Sequence, residues 1–298
     1  MSVIVLAYNH EAYLQQAIKS IVNQIAPFTI EIILAEDHST DDTFEVALAA
    51  HRENPAIIRV IHGPTNIGMI PNVLRAIEKC RGKYIAICEG DDFWTDPHKL
   101  VHQIAEMEKY QEVGVCFTQG TILSPDGSLR PSWDYGVTVR VVPLSEILKR
   151  EGILVPTASL IWRAERLHEM PLWFRTAPVG DLFMFLRGAT PNGALYLPID
   201  TIVYRLGFDG SWTTRLATQT SALKVNYLRR MIDAYGSAVE SFGLNPRIFS
   251  SFASPARYLL FRHELAAGNY REAARLLAKI HPRFFIDLLR RRIAKKRF

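Results

Sequence analysis

Three carboxylates crowd into four residues of this sequence, within the segment KYIAICEGDDFWTD. Glu89, Asp91 and Asp92 surround Gly90 and directly follow a short apolar run. Like charges at this spacing repel one another unless a cation lies among them. Carboxylate oxygens suit a hard divalent ion such as Mg²⁺ or Mn²⁺, which keeps some water and takes further ligands from substrate phosphates. The spacing therefore indicates a cation site beside a phosphate, although a solvated turn or a helix cap would use the same residue types.

The apolar run before these acids determines where they lie in the fold. Residues 84–88 form an apolar run that is too short for a typical helix and is bounded by Gly82 and Gly90. Such a run is typical of a strand that is buried on both faces of a parallel sheet. In open α/β sheets, ligands bind at the carboxyl ends of the strands. We therefore expect the three acids at the ligand-binding edge.

Strand and helix patterns alternate over the first 120 residues. Apolar runs predict strands over residues 2–7, 30–34, 57–61 and 84–88, and helical periodicity predicts helices over 10–24, 38–54 and 70–79. This alternation predicts an α/β fold, Rossmann-like, with a mostly parallel sheet and helices on both faces. The pattern is less regular up to about residue 215. From Ser221 onward it is helical and includes a helical hairpin over 256–282.

Composition places the chain among soluble globular proteins. It has 298 residues, of which 48% are hydrophobic and 22% charged, and no window approaches 18 uninterrupted apolar residues. The first residues run into a predicted strand without a basic leader, so we expect a cytoplasmic protein. Cys80, Cys88 and Cys116 lack metal-type spacing and are expected to be buried, reduced thiols.

The positive charge is concentrated at the C-terminal end. Residues 283–298 hold seven Lys or Arg and one Asp, a balance of +6, so the other 282 residues sum to −1. Apolar side chains alternate with the basic ones at helical spacing. This amphipathic pattern favours an anionic membrane surface and would place the protein peripherally on the inner face of the cell membrane. A solvated helix end is the alternative, and the body of the chain has no basic stripe for nucleic acid.

Two sets of ordered blocks carry a family resemblance. The blocks SVIVLAYNHEAYLQQAIKSIVNQ, ILAEDHSTDDT and NIGMIPNVLRAIEKCRGKYIAICEGDDFWTDPHKL resemble the family 2 glycosyltransferases of GT-A fold. VPTASLIWR, VGDLFMFLRGA and IVYRLGFDGSW resemble the acceptor half of the bacterial polysaccharide-biosynthesis members. The resemblance implies a GT-A domain over 1–215, with a nucleotide-sugar half (1–100) and an acceptor half (101–215). The helical region then covers 216–298.

The resemblance also implies roles for residues in the first half. Those matching the nucleotide pocket are Ala7, Tyr8, Asn9, Glu11, Asp37, Asn66, Gly68 and Asn72. Tyr8 would present an aromatic face to the nucleobase, and Asp37 would accept hydrogen bonds from the base or the ribose. Without the resemblance, each would pass for a strand end or a turn residue.

The same resemblance assigns the acids and one arginine. Glu89, Gly90 and Asp91 occupy the position of the family's DxD motif with Glu in place of the first Asp, and Asp91 with Asp92 would hold Mg²⁺ or Mn²⁺ on the diphosphate. Asp181 matches the general base, although an N-cap is its alternative role. Arg205 would lie near phosphate. Similar sequences often carry a His two residues later, where this chain has Gly207.

Together these features predict a metal-dependent, inverting glycosyltransferase. It would move a hexose-type sugar from a UDP-sugar to a saccharide or lipid-linked saccharide in cell-surface polysaccharide biosynthesis. Two alternatives remain open. A sugar nucleotidyltransferase would need a glycine-rich loop after the first strand, where AYNHEAYL has no glycine. A non-catalytic nucleotide-sugar-binding module would not need to keep all the acids to which the resemblance gives a role. The helical C-terminal half could also support a homodimer.

Overall fold

The fold is described from a computed structural model that covers residues 1–148, 155–208, 220–286 and Leu288. Its centre is a ten-stranded mixed sheet with helices on both faces. The first half alternates as predicted, through β1 (Ser2–Ala7), α1 (Leu14–Val22), β2 (Glu31–Glu36), α2 (Thr43–Glu53), β3 (Ile58–Ile61), α3 (Met69–Ile77) and β4 (Tyr84–Glu89).

The four strands of this half are parallel and lie in the order β3-β2-β1-β4. Their registers pair Ala7 with Glu36 and Leu6 with Glu89, so β1, β2 and β4 end at the same edge. The residues that follow these strands therefore meet there, as the sequence predicts.

The second half adds antiparallel strands to the sheet. Its elements are β5 (Phe93–Trp94), α4 (Lys99–Lys109), β6 (Val115–Leu123), β7 (Leu129–Pro131), β8 (Arg140–Val142), α5 (Leu144–Ile147), β9 (Ile161–Arg163), α6 (Ala164–His168), α7 (Asp181–Ala189) and β10 (Ala194–Arg205). β9 lies antiparallel between β4 and β6, whereas β10 runs parallel to β6 and antiparallel to β5. The β10–β5 pair brings Arg205 close to the acids after β4.

Each face of the sheet has its own hydrophobic core. Along β1, Val3 and Val5 pack with the α1 and α2 side, while Ile4 and Leu6 pack with the α3 and α7 side. This division follows from the period of two along a strand. A strand buried on both faces is therefore apolar throughout, which explains the uninterrupted runs in the sequence.

The C-terminal helices share one of these cores. They are α8 (Ser221–Phe242), α9 (Pro246–Ala266) and α10 (Tyr270–Ala278), which confirms the predicted helical region. The Phe242 ring lies 5.7 Å from Trp173, and Tyr235 lies 6.1 Å from Phe183 on α7. α8 is thus packed directly on the sheet domain.

The predicted amphipathic tail is described only in part. Phe284 and Phe285 pack on Tyr258 of α9, with ring centroids 5.2 and 6.2 Å apart. Most of the tail beyond residue 286 lies outside the described residues, as does the predicted boundary at 215. Among the described residues, none of the helices combines the length and the hydrophobicity that a membrane span requires. The three cysteines are buried and free, as predicted.

Candidate active site

Residues 89–92, here called the acid turn, lead from β4 into β5. The Gly90 N–H donates to the Leu6 carbonyl over 2.8 Å, and the Asp92 N–H donates to the Glu89 carbonyl over 3.0 Å. A Cβ on Gly90 would lie only 2.6 Å from Nδ1 of His10. The turn is therefore pressed against the end of β1, and glycine permits this close approach.

The acid turn keeps two buried carboxylate oxygens without partners. Asp92 is 1% exposed; its Oδ1 accepts the Arg205 N–H over 2.9 Å, but its Oδ2 has no hydrogen-bond partner. Oε2 of Glu89 is likewise buried and unpaired. Burial and the charge of Asp91 raise the pKa of Glu89 to about 8, and the same two causes raise that of Asp92 well above its ordinary value.

These oxygens fit a divalent cation. Unpaired buried carboxylate oxygens are costly unless a proton or a cation satisfies them, and oxygen is the donor type that Mg²⁺ and Mn²⁺ accept. The described residues contain no preassembled group of three or more His, Cys, Asp or Glu side chains able to hold a metal. Mg²⁺ usually binds through one or two carboxylates and takes its remaining ligands from phosphate and water.

Arg205 holds the acid turn in place through hydrogen bonds. Its backbone N–H binds Asp92, its Nη1 donates to the Asp91 carbonyl, and its Nη2 donates to Oε1 of Gln16 over 2.6 Å. The guanidinium also lies 4.8 Å from the Tyr13 ring centroid. The Arg205 guanidinium thus already binds protein groups. Its predicted contact with phosphate stays a prediction. The structure gives it a clamping role that the sequence did not reveal.

Asp37 organises the loop that enters α3. It lies at the end of β2, 3% exposed, and its two oxygens accept the N–H groups of Ile67 (3.0 Å) and Gly68 (2.8 Å). Asn66 donates from Nδ2 to the Asp37 carbonyl over 2.8 Å. A carboxylate has about four acceptor sites, so Asp37 keeps capacity for a ligand.

Asn72 faces the protein interior. Its Nδ2 donates to the Ala35 carbonyl over 3.0 Å, and its Oδ1 accepts from Nε of Arg75 over 2.8 Å. Because both ends of the amide are used and the residue is 3% exposed, Asn72 supports the α3–β2 packing. Its predicted contact with a nucleotide stays a prediction.

Side chains join the loop after β1 to the loop after β2. Asn9 has a left-handed backbone (φ 56°), and its Oδ1 accepts the Thr40 N–H over 2.9 Å. Oε2 of Glu11 accepts the Asp42 N–H over 2.9 Å, and the Ala7 carbonyl accepts the Asp37 N–H over 3.0 Å. Four predicted pocket residues, Ala7, Asn9, Glu11 and Asp37, thus belong to one hydrogen-bonded rim, with a half-buried Tyr8 beside them.

Sequence reasoning missed an acid at this rim. Glu36, the last residue of β2, is fully buried and accepts from the Ser39 N–H over 2.7 Å and from Nδ1 of His62 over 2.5 Å. Burial opposes ionisation, but these hydrogen bonds prevail and lower the pKa of Glu36. The His62 ring stacks on Phe44 at 4.1 Å. The only available signal was an acid at the carboxyl end of a predicted parallel strand.

Asp181 reaches the site at the start of α7. A Cβ on Gly180 would lie 3.0 Å from Sδ of Met69, so α7 begins directly against the beginning of α3. Part of the Asp181 surface is exposed to solvent. The surrounding protein nevertheless desolvates its carboxyl, and this desolvation raises the pKa of Asp181. Its Oδ1 accepts the adjacent Leu182 N–H over 2.7 Å.

Two half-buried tyrosines lie within the electrostatic influence of these carboxylates. Burial, together with the charges of the acid turn and of Asp181, raises the pKa of Tyr204. Burial and Asp181 raise the pKa of Tyr227, on α8, to about 12. Neither tyrosine was a predicted site residue. Tyr227 comes from the helical region, whose packing on the sheet domain no local pattern reveals.

Known proteins resemble this chain in sequence. The family described as Glycosyl transferase family 2 matches residues 2–167. An uncharacterised protein of Mycobacterium tuberculosis is 30% identical over 71% of this chain and 60% of its own length. Chondroitin synthase of Pasteurella multocida is 30% identical over 43% of this chain and 13% of the synthase. The chain thus spans less than two thirds of these relatives.

Solved structures resemble it in fold. Residues 1–349 of S. aureus TarS, in complex with UDP-GlcNAc, align with a TM-score of 0.64 at 18% identity, covering 88% of this chain and 72% of that one. A mannosyltransferase of Pyrobaculum calidifontis, in complex with GDP-Man and Mn²⁺, aligns with a TM-score of 0.57 at 15% identity, covering 93% and 78%. At these identities the likeness establishes the fold and confirms the predicted GT-A architecture.

Proposed function

Because the chain belongs to glycosyl transferase family 2, we propose that it is an inverting glycosyltransferase, moving a hexose-type sugar from a UDP-sugar to a saccharide hydroxyl. One observation carries the proposal. Burial and the charge of Asp91 chiefly raise the pKa of Glu89, and the charge of Asp181 adds a smaller contribution, which supports a site shared by Asp181 and the acid turn. Inverting transfer needs a base opposite a stabilised leaving group.

In this mechanism Asp181 is the base. Its carboxylate takes the proton of the acceptor hydroxyl as that oxygen forms a bond to the anomeric carbon. The bond from the anomeric carbon to the diphosphate oxygen breaks, and its electron pair leaves with the nucleoside diphosphate. The surrounding protein raises the pKa of Asp181, which makes it a stronger base when ionised.

The acid turn supports the leaving group. Asp91 and Asp92 would hold Mg²⁺ or Mn²⁺, with Glu89 beside them, and the unpaired oxygens of Asp92 and Glu89 support this assignment. A bound divalent cation supplies Lewis-acid neutralisation of the diphosphate charge. Arg205 keeps the turn in place through its contacts with Asp91, Asp92 and Gln16.

The donor is bound on the β1–β2 side of the edge. The hydrogen-bonded rim of Ala7, Asn9, Glu11 and Asp37 would border it with Tyr8. Asn66 and Gly68 would lie beside Asp37. The structural relatives bind UDP-GlcNAc and GDP-Man, which supports a nucleotide-sugar donor. We assign uracil because a carboxylate such as Asp37 suits its ring N–H.

The acceptor is a saccharide or a lipid-linked saccharide used in cell-surface polysaccharide assembly. A polysaccharide synthase among the relatives supports this class of acceptor. The basic residues within 283–298 would hold the enzyme at an anionic membrane surface on the cytoplasmic side, and Tyr227 of α8 would border the acceptor.

Replacing the base tests the proposal. Asp181→Asn keeps the size of the side chain but cannot accept the proton, so transfer should fall by at least 10²-fold. UDP should still raise the melting temperature in the presence of Mn²⁺. Thermal shift and release of UDP from a panel of UDP-sugars, supplied with saccharide acceptors, measure the two effects.

The matched control is Asp233→Asn, an exposed acid on α8, which should leave both measurements unchanged. Normal transfer by the Asp181→Asn variant would remove Asp181 as the base. A wild-type protein that UDP and GDP both fail to stabilise, with and without Mn²⁺, would contradict a nucleotide-sugar transferase altogether.

A further inference from the structure

His10 lies against the acid turn although it is distant from it in sequence. It follows β1, and its Nε2 lies 3.9 Å from Oδ1 of Asp91. The two side chains are 20% and 21% exposed. At 3.9 Å the two atoms are too far apart for a direct hydrogen bond, so their exposed edges border a space that a ligand atom could enter.

The backbone fixes His10 in this position. Its N–H donates to Oγ1 of Thr43 over 2.7 Å, and its carbonyl accepts the N–H groups of Tyr13 and Leu14, each over 2.9 Å. None of these bonds uses the imidazole. Replacement of the side chain should therefore leave the loop intact, and the ring orientation follows from the backbone and from the contact with Gly90.

The surroundings of Nδ1, the other ring nitrogen of His10, determine which nitrogen of the neutral imidazole carries the proton. Nδ1 is buried against Gly90 and has no hydrogen-bond partner among the described residues. A buried N–H without an acceptor is costlier than an unused lone pair, so we assign the proton to Nε2. A histidine that ligates a metal almost always donates its other N–H to an acceptor. Nδ1 has none, which argues against direct ligation and leaves Nε2 as a donor.

We propose that His10 binds the diphosphate of the donor, donating from Nε2–H to a phosphate oxygen beside Asp91. A phosphate oxygen placed there can accept a hydrogen bond from the imidazole. A cation held at Asp91 would offset the repulsion between this oxygen and the carboxylate. This inference rests on the proposed function and deepens its donor site. It also accounts for glycine at position 90, since a side chain there would displace His10.

Binding measurements on His10 variants test this contact without turnover. Isothermal titration calorimetry would follow UDP with Mn²⁺, uridine alone, and Mn²⁺ alone. His10→Ala should weaken UDP binding roughly tenfold, the usual order for a hydrogen bond to a charged group, and leave uridine and Mn²⁺ unchanged. His10→Gln, which can present an N–H near the position of Nε2, should stay within about threefold of wild type.

The matched control is His102→Ala. Nε2 of His102 lies 3.7 Å from Oδ2 of Asp96, a similar imidazole–carboxylate pair outside the site, and its loss should change none of the three titrations. Unchanged UDP binding by His10→Ala would overturn the proposal, as would an equal loss of uridine. Loss of Mn²⁺ binding alone would make His10 a metal ligand instead. A wild-type protein that binds no nucleotide would contradict the proposed function rather than this contact.

Discussion

At the scale of single residues, the acid turn holds more negative charge than its surroundings stabilise. Burial and mutual repulsion raise the pKa of Glu89 and Asp92, and their unpaired oxygens mark where a cation would relieve that cost. Arg205 does not relieve it fully, because its guanidinium binds the Asp91 carbonyl and Gln16 rather than the free carboxylate oxygens. Clusters of shifted pKa values of this kind are typical of functional sites.

Glu89 gives the metal-free protein a pH dependence of defined sign. Its folded pKa of about 8 exceeds the ordinary value of 4.5, so between these values the folded state holds more protons than the unfolded state. Stability should therefore fall as pH rises from about 5 to 8, by at most about 1.4 kcal/mol per pH unit from this group. Urea unfolding of the wild type and Glu89→Gln in chelator at several pH values measures the effect.

The matched control for Glu89→Gln is the exposed acid Glu53, replaced in the same way. The difference between wild type and Glu89→Gln should grow with pH, whereas Glu53→Gln should follow the wild type. Parallel curves for all three proteins would contradict the raised pKa of Glu89. Saturating Mn²⁺ with UDP should flatten the wild-type curve, since bound ligand replaces the protons.

At the scale of elements, the site depends on how closely the acid turn approaches the β1–α1 loop. A Cβ at position 90 would lie 2.6 Å from Nδ1 of His10, 3.1 Å from the Leu6 carbonyl and 3.2 Å from Cδ1 of Leu14. Two loops that follow neighbouring strands are thereby held in contact. The space near Asp91 is consequently set by backbone geometry as well as by side chains.

Gly90→Ala should separate these two elements. Overpacking of this kind costs about 1–3 kcal/mol, and the displaced turn should lose Mn²⁺-dependent binding of UDP. Gly236→Ala is the control, because a Cβ there meets no atom within 4 Å and the position is inside α8, where alanine should stabilise by about 0.5–1 kcal/mol. Denaturant unfolding and UDP titration measure both variants. Full UDP binding by Gly90→Ala would show that the contact tolerates a side chain.

At the scale of the whole molecule, the helical region and the sheet domain form one packed body along α8. Trp173 donates from Nε1 to Oγ of Ser241 over 3.0 Å, and Arg230 donates from Nη2 to the Thr176 carbonyl over 2.9 Å. The aromatic contacts of Phe242 and Tyr235 lie in the same core. The expected domain division near residue 215 therefore separates segments of sequence that share a core, and we expect them to unfold together.

Phe242→Ala tests this shared core. Loss of a buried phenylalanine should cost about 3–5 kcal/mol, and unfolding should remain a single transition when followed by tryptophan fluorescence and by far-ultraviolet circular dichroism. Leu259→Ala on α9, where the side chain is 53% exposed, should cost less than about 1 kcal/mol. Separate transitions in the two signals would instead indicate independently folding units.

The sequence by itself determined which residues end the strands. Uninterrupted apolar runs and the helical periodicity between them predict the parallel half of the sheet, and the acids after β2 and β4 lie at its edge as expected. The predicted family and the GT-A fold are confirmed. These features are readable because strand burial and helix faces repeat with short periods along the chain.

Only the tertiary structure decided which side chains share the site and which support it. The start of α7 lies against the start of α3 and carries Asp181, Gly90 brings the acid turn against His10, and α8 joins the core so that Asp181 acts on Tyr227. Asn72 and Arg205 instead face protein partners. Such orientations depend on contacts between residues far apart in sequence, which a local periodicity does not encode.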